Sequence, residues 1–171
     1  MAEFANRITP GAEALFFYAG HGVQLRDENF FPSVDADLRT EFDLPTQSIS
    51  LNRVLDLMQE RKVALSLVLL DACRNNPFLM ASRSIGRGLA PVNAASGTLL
   101  SYATRPRSVA QDGDGANGVY TTSLLRHIDT PNLQIELLLK RVANEVKRET
   151  RGAQEPWTEG NIEGDFMFVR R

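Results

Sequence analysis

The chain is poor in the residues that build disulfide frameworks and metal centres. It has one cysteine and two histidines among its 171 residues. A lone cysteine cannot form an internal disulfide, and a zinc site would have to be assembled from these three residues and scattered carboxylates. We therefore expect neither a disulfide scaffold nor a bound metal.

An excess of charge and long apolar runs are also absent. The 19 basic residues nearly balance the 21 acidic ones, for a net charge of -2, so no global basic field attracts nucleic acid or anionic lipid. No run approaches the roughly 20 apolar residues of a membrane span, and the start lacks a signal-peptide pattern. We expect a cytoplasmic protein that binds neither nucleic acid nor membrane.

What the chain does contain is typical of a folded globular protein. Its hydrophobic fraction is 43% and its charged fraction is 23%, both near the averages for such proteins. The length fits one domain with a substantial core and is too short for two. We expect a single domain over residues 1–171.

Two apolar runs that end beside reactive residues organise the first half. Residues 14–19 read as a strand buried on both faces and lead to His21 between two glycines, and residues 63–70 read as a second strand that leads to Cys73. A helix capped by Ser48 or Ser50 is predicted between the strands. Strand, crossover helix and strand together predict a parallel pair with a right-handed connection.

The remaining elements follow from weaker patterns. We expect a polar loop at 24–47, an exposed connector at 77–97, a strand at 98–103, a helix at 120–128, a helix from Pro131 to about Thr150, and a closing strand at 166–169.

The carboxyl edge of the predicted sheet is where cysteine chemistry could be assembled. Parallel strands bring His21 and Cys73 to the same edge, where open α/β sheets place their ligand crevices. A cysteine attacks a carbonyl carbon as thiolate, so it needs a base and donors for the oxyanion that forms. His21 could be the base, and the backbone N–H groups of Gly22 and Cys73 could be the donors.

Two motifs at this edge resemble those of a known family. Tyr18-Ala19-Gly20-His21-Gly22 and Asp71-Ala72-Cys73-Arg74-Asn75 are similar to the histidine and cysteine motifs of bacterial caspase-like peptidases, the metacaspase and orthocaspase branch. In caspases the histidine lies about fifty residues upstream of the cysteine. The similarity continues through residues 97–104, 112–115, 118–121 and 164–168, and so covers nearly the whole chain.

The resemblance implies an α/β fold, a caspase-like three-layer sandwich with a mostly parallel sheet flanked by helices. It divides the chain into a large-subunit-like part at 1–77, a connector at 78–96 and a small-subunit-like part at 97–171. It also implies a cysteine endopeptidase that acts on protein or peptide substrates. His21 would be the base and Cys73 the nucleophile, with no required cofactor.

Asp71 decides the specificity that the resemblance implies. In metacaspases an acidic residue two places before the cysteine lines a pocket for Arg or Lys, and Asp71 holds that position. A buried carboxylate that meets a guanidinium favours cleavage after basic residues. The alternative reading is that Asp71 caps a turn or orients a backbone amide.

The resemblance departs from the family at the front of the chain. Family members have strands before the histidine strand, so we expect an N-terminally truncated version of the fold. Residues Ala14–Ala19 would then form an exposed edge that a partner or a missing segment covers. The alternative function is therefore a non-catalytic caspase-like interaction module or an inactive truncated homologue.

Other residues have simpler readings. His127 is expected to be a surface histidine, and Asp112 and Asp114 a solvated turn, although Ca²⁺ binding there is the alternative. Arg83 and Arg87 are either self-cleavage sites or ordinary solubilising residues.

Overall fold

The computed structural model describes residues 1–73, 89, 92, 95–105, 108, 110 and 115–171, with the backbone alone at Cys73. Most of the predicted connector, including Arg83 and Arg87, lies outside these residues, as do Asp112 and Asp114. The described elements, in chain order, are α1 (Ala2–Arg7), β1 (Glu13–His21), β2 (Val23–Leu25), β3 (Glu28–Pro32), a 3₁₀ turn (Glu41–Asp43), α2 (Leu44–Gln47), β4 (Ser48–Ser50), α3 (Leu51–Glu60), β5 (Leu65–Cys73), β6 (Thr98–Tyr102), α4 (Val119–His127), α5 (Ile135–Glu149) and β7 (Trp157–Asn161).

The main sheet of the described strands has the order β1-β5-β6-β7. β1 runs parallel to β5, and β5 runs parallel to β6, whereas β7 is antiparallel to β6. The predicted parallel pair is confirmed, and the helix between its strands begins after Ser50, whose hydroxyl accepts a 3.3 Å hydrogen bond from the Arg53 amide.

Helices cover both faces of this sheet. Alternate residues of β5 point to opposite sides, so this strand contributes to a core on each face. Leu67 and Leu69 lie in a core with α4 and α5. Val68 and Leu70 lie in a second core with α3. The structure is thus the expected α/β sandwich of three layers.

β1 is an edge strand among the residues that the structure describes, and the prediction that both of its faces are buried is wrong. Ala14 is buried, but Leu15 and Phe17 on the opposite face are 42% and 43% exposed. β1 pairs with β5 along one side and is the terminal strand of the described sheet. Its apolar sequence therefore comes from one buried face and one uncovered face.

The predicted polar loop at 24–47 is also wrong, since much of it forms a small second sheet. β2 and β3 make a hairpin, and β4 pairs with the other side of β3. The hairpin turns at Arg26 and Asp27, which have φ values of 50° and 62°. Left-handed conformations at both positions suit a tight hairpin turn, and this turn forms here without its usual glycine.

Two predictions in the last third of the chain need correction. α5 begins at Ile135 and not at Pro131, because Asn132 has a φ of 56° and interrupts the helical path. Residues 166–169 do not form a strand. Their carbonyls accept hydrogen bonds from the amides that precede or begin α5, Asn132 N to Val169 O at 2.8 Å and Ile135 N to Phe166 O at 2.9 Å.

The strand that does close the main sheet is β7. It has the sequence Trp-Thr-Glu-Gly-Asn and pairs with β6 along its whole length. A polar strand with one glycine has no strong strand signal in the sequence, which explains why it was not predicted.

Candidate active site

The two residues that carry the cysteine and histidine motifs end neighbouring strands. In the parallel pairing of β1 with β5, the Cα partner of His21 is Cys73. Neighbouring strands in a sheet lie about 4.8 Å apart. The fold therefore brings the backbones of these two residues together at one edge.

The backbone of His21 is held by interactions within its own motif. The Tyr18 hydroxyl donates to the His21 carbonyl at 3.0 Å and also lies 3.2 Å from the Pro32 carbonyl. The His21 side chain itself is exposed. An imidazole on a fixed backbone at an open sheet edge can meet a substrate that arrives from solvent.

Gly22 follows His21 where the backbone passes close to other residues. A Cβ at position 22 would lie 3.0 Å from Leu89 Cδ2 and 3.2 Å from the Ala72 methyl carbon. Such contacts are tighter than most real side chains make, so glycine suits the position. Gly22 is itself buried, and the absence of a side chain lets the backbone pass this close to Leu89 and Ala72.

Asp71 is buried and bonded to the start of α4. One of its carboxylate oxygens accepts from the Thr121 hydroxyl at 2.5 Å and from the Thr121 amide at 3.2 Å. Gly118, the residue before α4, lies so close that a Cβ there would be 2.6 Å from the same oxygen. Asp71 thus orients a backbone amide, as in the simpler of its two readings, and it does so two residues before Cys73.

Thr121 is the residue of this site that sequence reasoning missed. α4 begins after Gly118, which has no side chain to cap the helix. The carboxylate from β5 satisfies one of the free amides of the first turn instead. Two features of the sequence could have indicated this contact: a helix start without a capping side chain, and an aspartate at the end of an apolar strand.

Tyr120 adds a buried hydroxyl beside this contact. The side chain is fully buried, and its hydroxyl donates to Ser101 Oγ at 2.8 Å. Burial raises the pKa of Tyr120 far above its ordinary value, and the nearby negative charge of Asp71 adds to the rise. Tyr120 is therefore a neutral hydrogen-bond donor that ties α4 to β6.

His127 lies at the other end of α4 and is not brought to this edge. Its Nε2 is 2.8 Å from a carboxylate oxygen of Glu145, and its side chain is 25% exposed. It joins α4 to α5, so it is a partly exposed structural histidine.

One cleft among the described residues lies at the other end of the main sheet. It has a volume of about 330 Å³ and is lined by residues of α3 and of the amino ends of β5 and β6, including Asp56, Ser66 and Thr98. These positions are at the opposite end of the strands from His21 and Cys73. The candidate nucleophile and base lie at the carboxyl edge, away from this cleft.

Within the described ranges, no group of three or more His, Cys, Asp or Glu side chains could hold a metal ion. Across the same part of the chain, no helix is both long enough and apolar enough to cross a membrane.

The chain is similar to known proteins over most of its length. Residues 1–167 match the caspase domain family, Peptidase_C14. The chain is also 30% identical over 149 residues to the human mucosa-associated lymphoid tissue lymphoma translocation protein 1 and to its mouse homologue. In each case the match covers 84% of this chain and 17% of the relative, so the chain spans less than a fifth of these proteins.

Proposed function

Because the chain belongs to the caspase domain family, we propose that it is a cysteine endopeptidase in which Cys73 and His21 form the catalytic dyad. The observation that carries the proposal is the pairing of these two residues at the ends of β1 and β5. Family membership supports peptidase chemistry. The pairing register of β1 with β5 supports His21 and Cys73 as the catalytic residues.

The proposed mechanism follows from the groups at this edge. His21 takes the thiol proton of Cys73, and the thiolate attacks the scissile carbonyl carbon to form a tetrahedral intermediate. The N–H groups of Gly22 and Cys73 donate to its oxyanion. His21 then gives the proton to the leaving amine, and a water molecule activated by His21 hydrolyses the thioester to release the acid and the free thiol.

The proposed specificity is for Arg or Lys before the cleaved bond, with Asp71 as the acidic determinant. Asp71 is 6% exposed and lies two residues from the proposed nucleophile. The hydroxyl and amide of Thr121 hold its carboxylate in one orientation. A fixed carboxylate at low exposure would attract a basic side chain and repel an acidic one.

The test is turnover of matched fluorogenic peptides that end in Arg, Lys or Asp. We expect cleavage of the basic peptides, no cleavage of the Asp peptide, and loss of activity in Cys73→Ala and His21→Ala. His127→Ala is the matched control, because it removes the other histidine of the chain and should retain activity. Absence of cleavage in every series by the folded protein would contradict the proposal.

The same assay addresses cofactors and the position of Asp71. We propose that no cofactor is required, so activity should be equal in chelator and in added Ca²⁺. Asp71→Asn should lower kcat/KM for the basic peptides. The assay is run where unfolding curves show that the variant is still folded. Dependence on Ca²⁺ would instead implicate Asp112 and Asp114. The assignment to the metacaspase branch depends on Asp71 and stays a prediction.

A second candidate function is an interaction module, and the exposed edge of β1 favours it. Leu15 and Phe17 are both more than two-fifths exposed on this terminal strand of the described sheet. An extended apolar segment could add to this edge as a further strand. This function predicts binding of a peptide of alternating apolar sequence together with a Cys73 that does not react.

A further inference from the structure

Tyr18 connects three parts of the molecule around the end of β1. Its hydroxyl lies 3.0 Å from the carbonyl oxygen of His21, three residues further along the chain. The same hydroxyl lies 3.2 Å from the carbonyl oxygen of Pro32, at the end of β3. One phenol group thus links the backbone of His21 to the second sheet.

The ring of Tyr18 packs against an aromatic residue of the second sheet. Its centroid is 4.7 Å from that of Phe31, a residue of β3 with no exposed surface. Phe16, the preceding residue on the same face of β1, lies 6.3 Å from Phe31 by the same measure. Aromatic rings at these separations pack favourably, so Phe31 fixes the direction in which the Tyr18 hydroxyl points.

Gly20 makes room for this hydroxyl. A Cβ at position 20 would lie 2.8 Å from the Tyr18 oxygen, and the φ of Gly20 is +152°. A side chain at position 20 would therefore displace the hydroxyl from the His21 carbonyl. The hydrogen bond thus joins the tyrosine and the histidine of the motif, and the glycine between them leaves the space that it needs.

We propose that Tyr18 is a positioning residue for catalysis, which holds the backbone of His21 at the end of β1, where His21 is the register partner of Cys73. The inference rests on the proposed peptidase function and adds to it a residue that touches neither the substrate nor the reacting atoms.

The exposure of His21 makes such a support necessary. An exposed side chain gains little orientation from packing, so its position depends on the backbone that carries it. β5 supports that backbone along one side, and Tyr18 supports it through its carbonyl. Burial raises the pKa of Tyr18 above its ordinary value, so the hydroxyl keeps its proton throughout the neutral range.

The test uses Tyr18→Phe, which keeps the ring against Phe31 and removes the hydroxyl. A small misplacement of a catalytic group can slow a reaction severely, and we expect kcat to fall about tenfold while KM changes by about twofold at most. The matched control is Thr46→Val, which removes a hydroxyl of α2 that donates to the Asp43 backbone carbonyl at 3.0 Å. Its kcat should match that of the unaltered protein.

A double-mutant cycle with Gly20→Ala tests the mechanism of the effect. If the alanine acts in part by displacing the Tyr18 hydroxyl, its effect on kcat should be smaller in the Tyr18→Phe background than alone, while the strain from the φ of +152° remains in both. Independent effects on kcat would overturn the proposed link between positions 18 and 20.

The two proposals fail in different ways. A Tyr18→Phe variant with unchanged kcat, alongside an inactive His21→Ala, would overturn the positioning role and leave the peptidase proposal standing. An active His21→Ala would overturn both. An equal loss of kcat in Thr46→Val would show that the loss reflects general destabilisation, and it would also overturn the positioning role.

Discussion

The Cα atoms of His21 and Cys73 are register partners at the ends of two adjacent parallel strands. Because every residue of β1 from Glu13 onward is paired with its counterpart in β5, this relationship is fixed by the whole length of the strand pair. A slip of one residue would move the apolar side chains of β1 to the opposite face of the sheet. The stability of the core therefore also fixes the relative placement of the two motifs.

Thr121→Val should destabilise the protein, because it takes a hydroxyl away from the buried carboxylate of Asp71. A charged group that loses one partner in a buried site costs about 1 to 3 kcal/mol. Urea unfolding measures the loss. The neighbouring Thr122→Val is the control, since that hydroxyl makes a long 3.5 Å bond to the Asn117 carbonyl. Equal unfolding free energies for the two variants would contradict the role of Asp71 as an anchor for α4.

The folded protein should lose stability in acid as the Glu145 carboxylate becomes protonated. The Ser123 hydroxyl, with Arg126 and His127, lowers the pKa of Glu145 to about 2 from the model-compound value of 4.5. A carboxyl group with a lowered pKa stabilises the folded state fully above pH 4.5, and this contribution disappears as the pH falls toward 2. Glu145→Gln should therefore be less stable than the unaltered protein at pH 7, by about 1 to 3 kcal/mol.

The difference between the two proteins should shrink as the pH is lowered, and urea unfolding at several pH values measures it. The control is Glu60→Gln, which changes an exposed glutamate at the end of α3 and should stay within about 0.5 kcal/mol of the unaltered protein throughout. A stability difference for Glu145→Gln that is independent of pH would contradict the ionic role of this cluster.

Phe17→Thr should reduce association at the uncovered edge of β1. Threonine suits a strand, and the phenyl ring is 43% exposed, so the unfolding free energy should change by about 0.5 kcal/mol or less. Light scattering over a range of concentrations should show less self-association than in the unaltered protein. The control is Leu137→Gln, which removes a leucine that is 51% exposed on α5. A fall in self-association with Leu137→Gln but not with Phe17→Thr would show that the protein associates through α5 and not through the edge of β1.

The parts of the fold that the sequence predicted are those where burial dominates. β5 is apolar over most of its length and buried from Leu65 to Ala72, so its pattern was unambiguous. The helix before it showed both an apolar face and a capping serine. The pairing of the two strands then followed from topology, and with it the placement of His21 beside Cys73.

Some of the missed parts have no local sequence signal, and others depend on partners distant in sequence. The hairpin of β2 and β3 turns through left-handed Arg26 and Asp27, which have no glycine to signal the turn. Residues 166–169 are apolar enough for a strand, yet the rings of Phe166 and Phe168 pack edge-on against each other at 5.1 Å and lie against the core of α4 and α5. The contact of Asp71 with Thr121 spans fifty residues of chain, which a local pattern cannot show.

The rate at which Cys73 is alkylated by iodoacetamide at pH 7 tests the central claim most directly. Cys73 is the single cysteine of the chain, so the whole signal comes from one residue. A thiolate is the reactive form, and an imidazole beside it favours that form. We expect alkylation of the unaltered protein to be about tenfold faster than that of His21→Ala, with His127→Ala unaffected. Equal rates in the unaltered protein and His21→Ala, both folded, would contradict a reactive pair at this sheet edge.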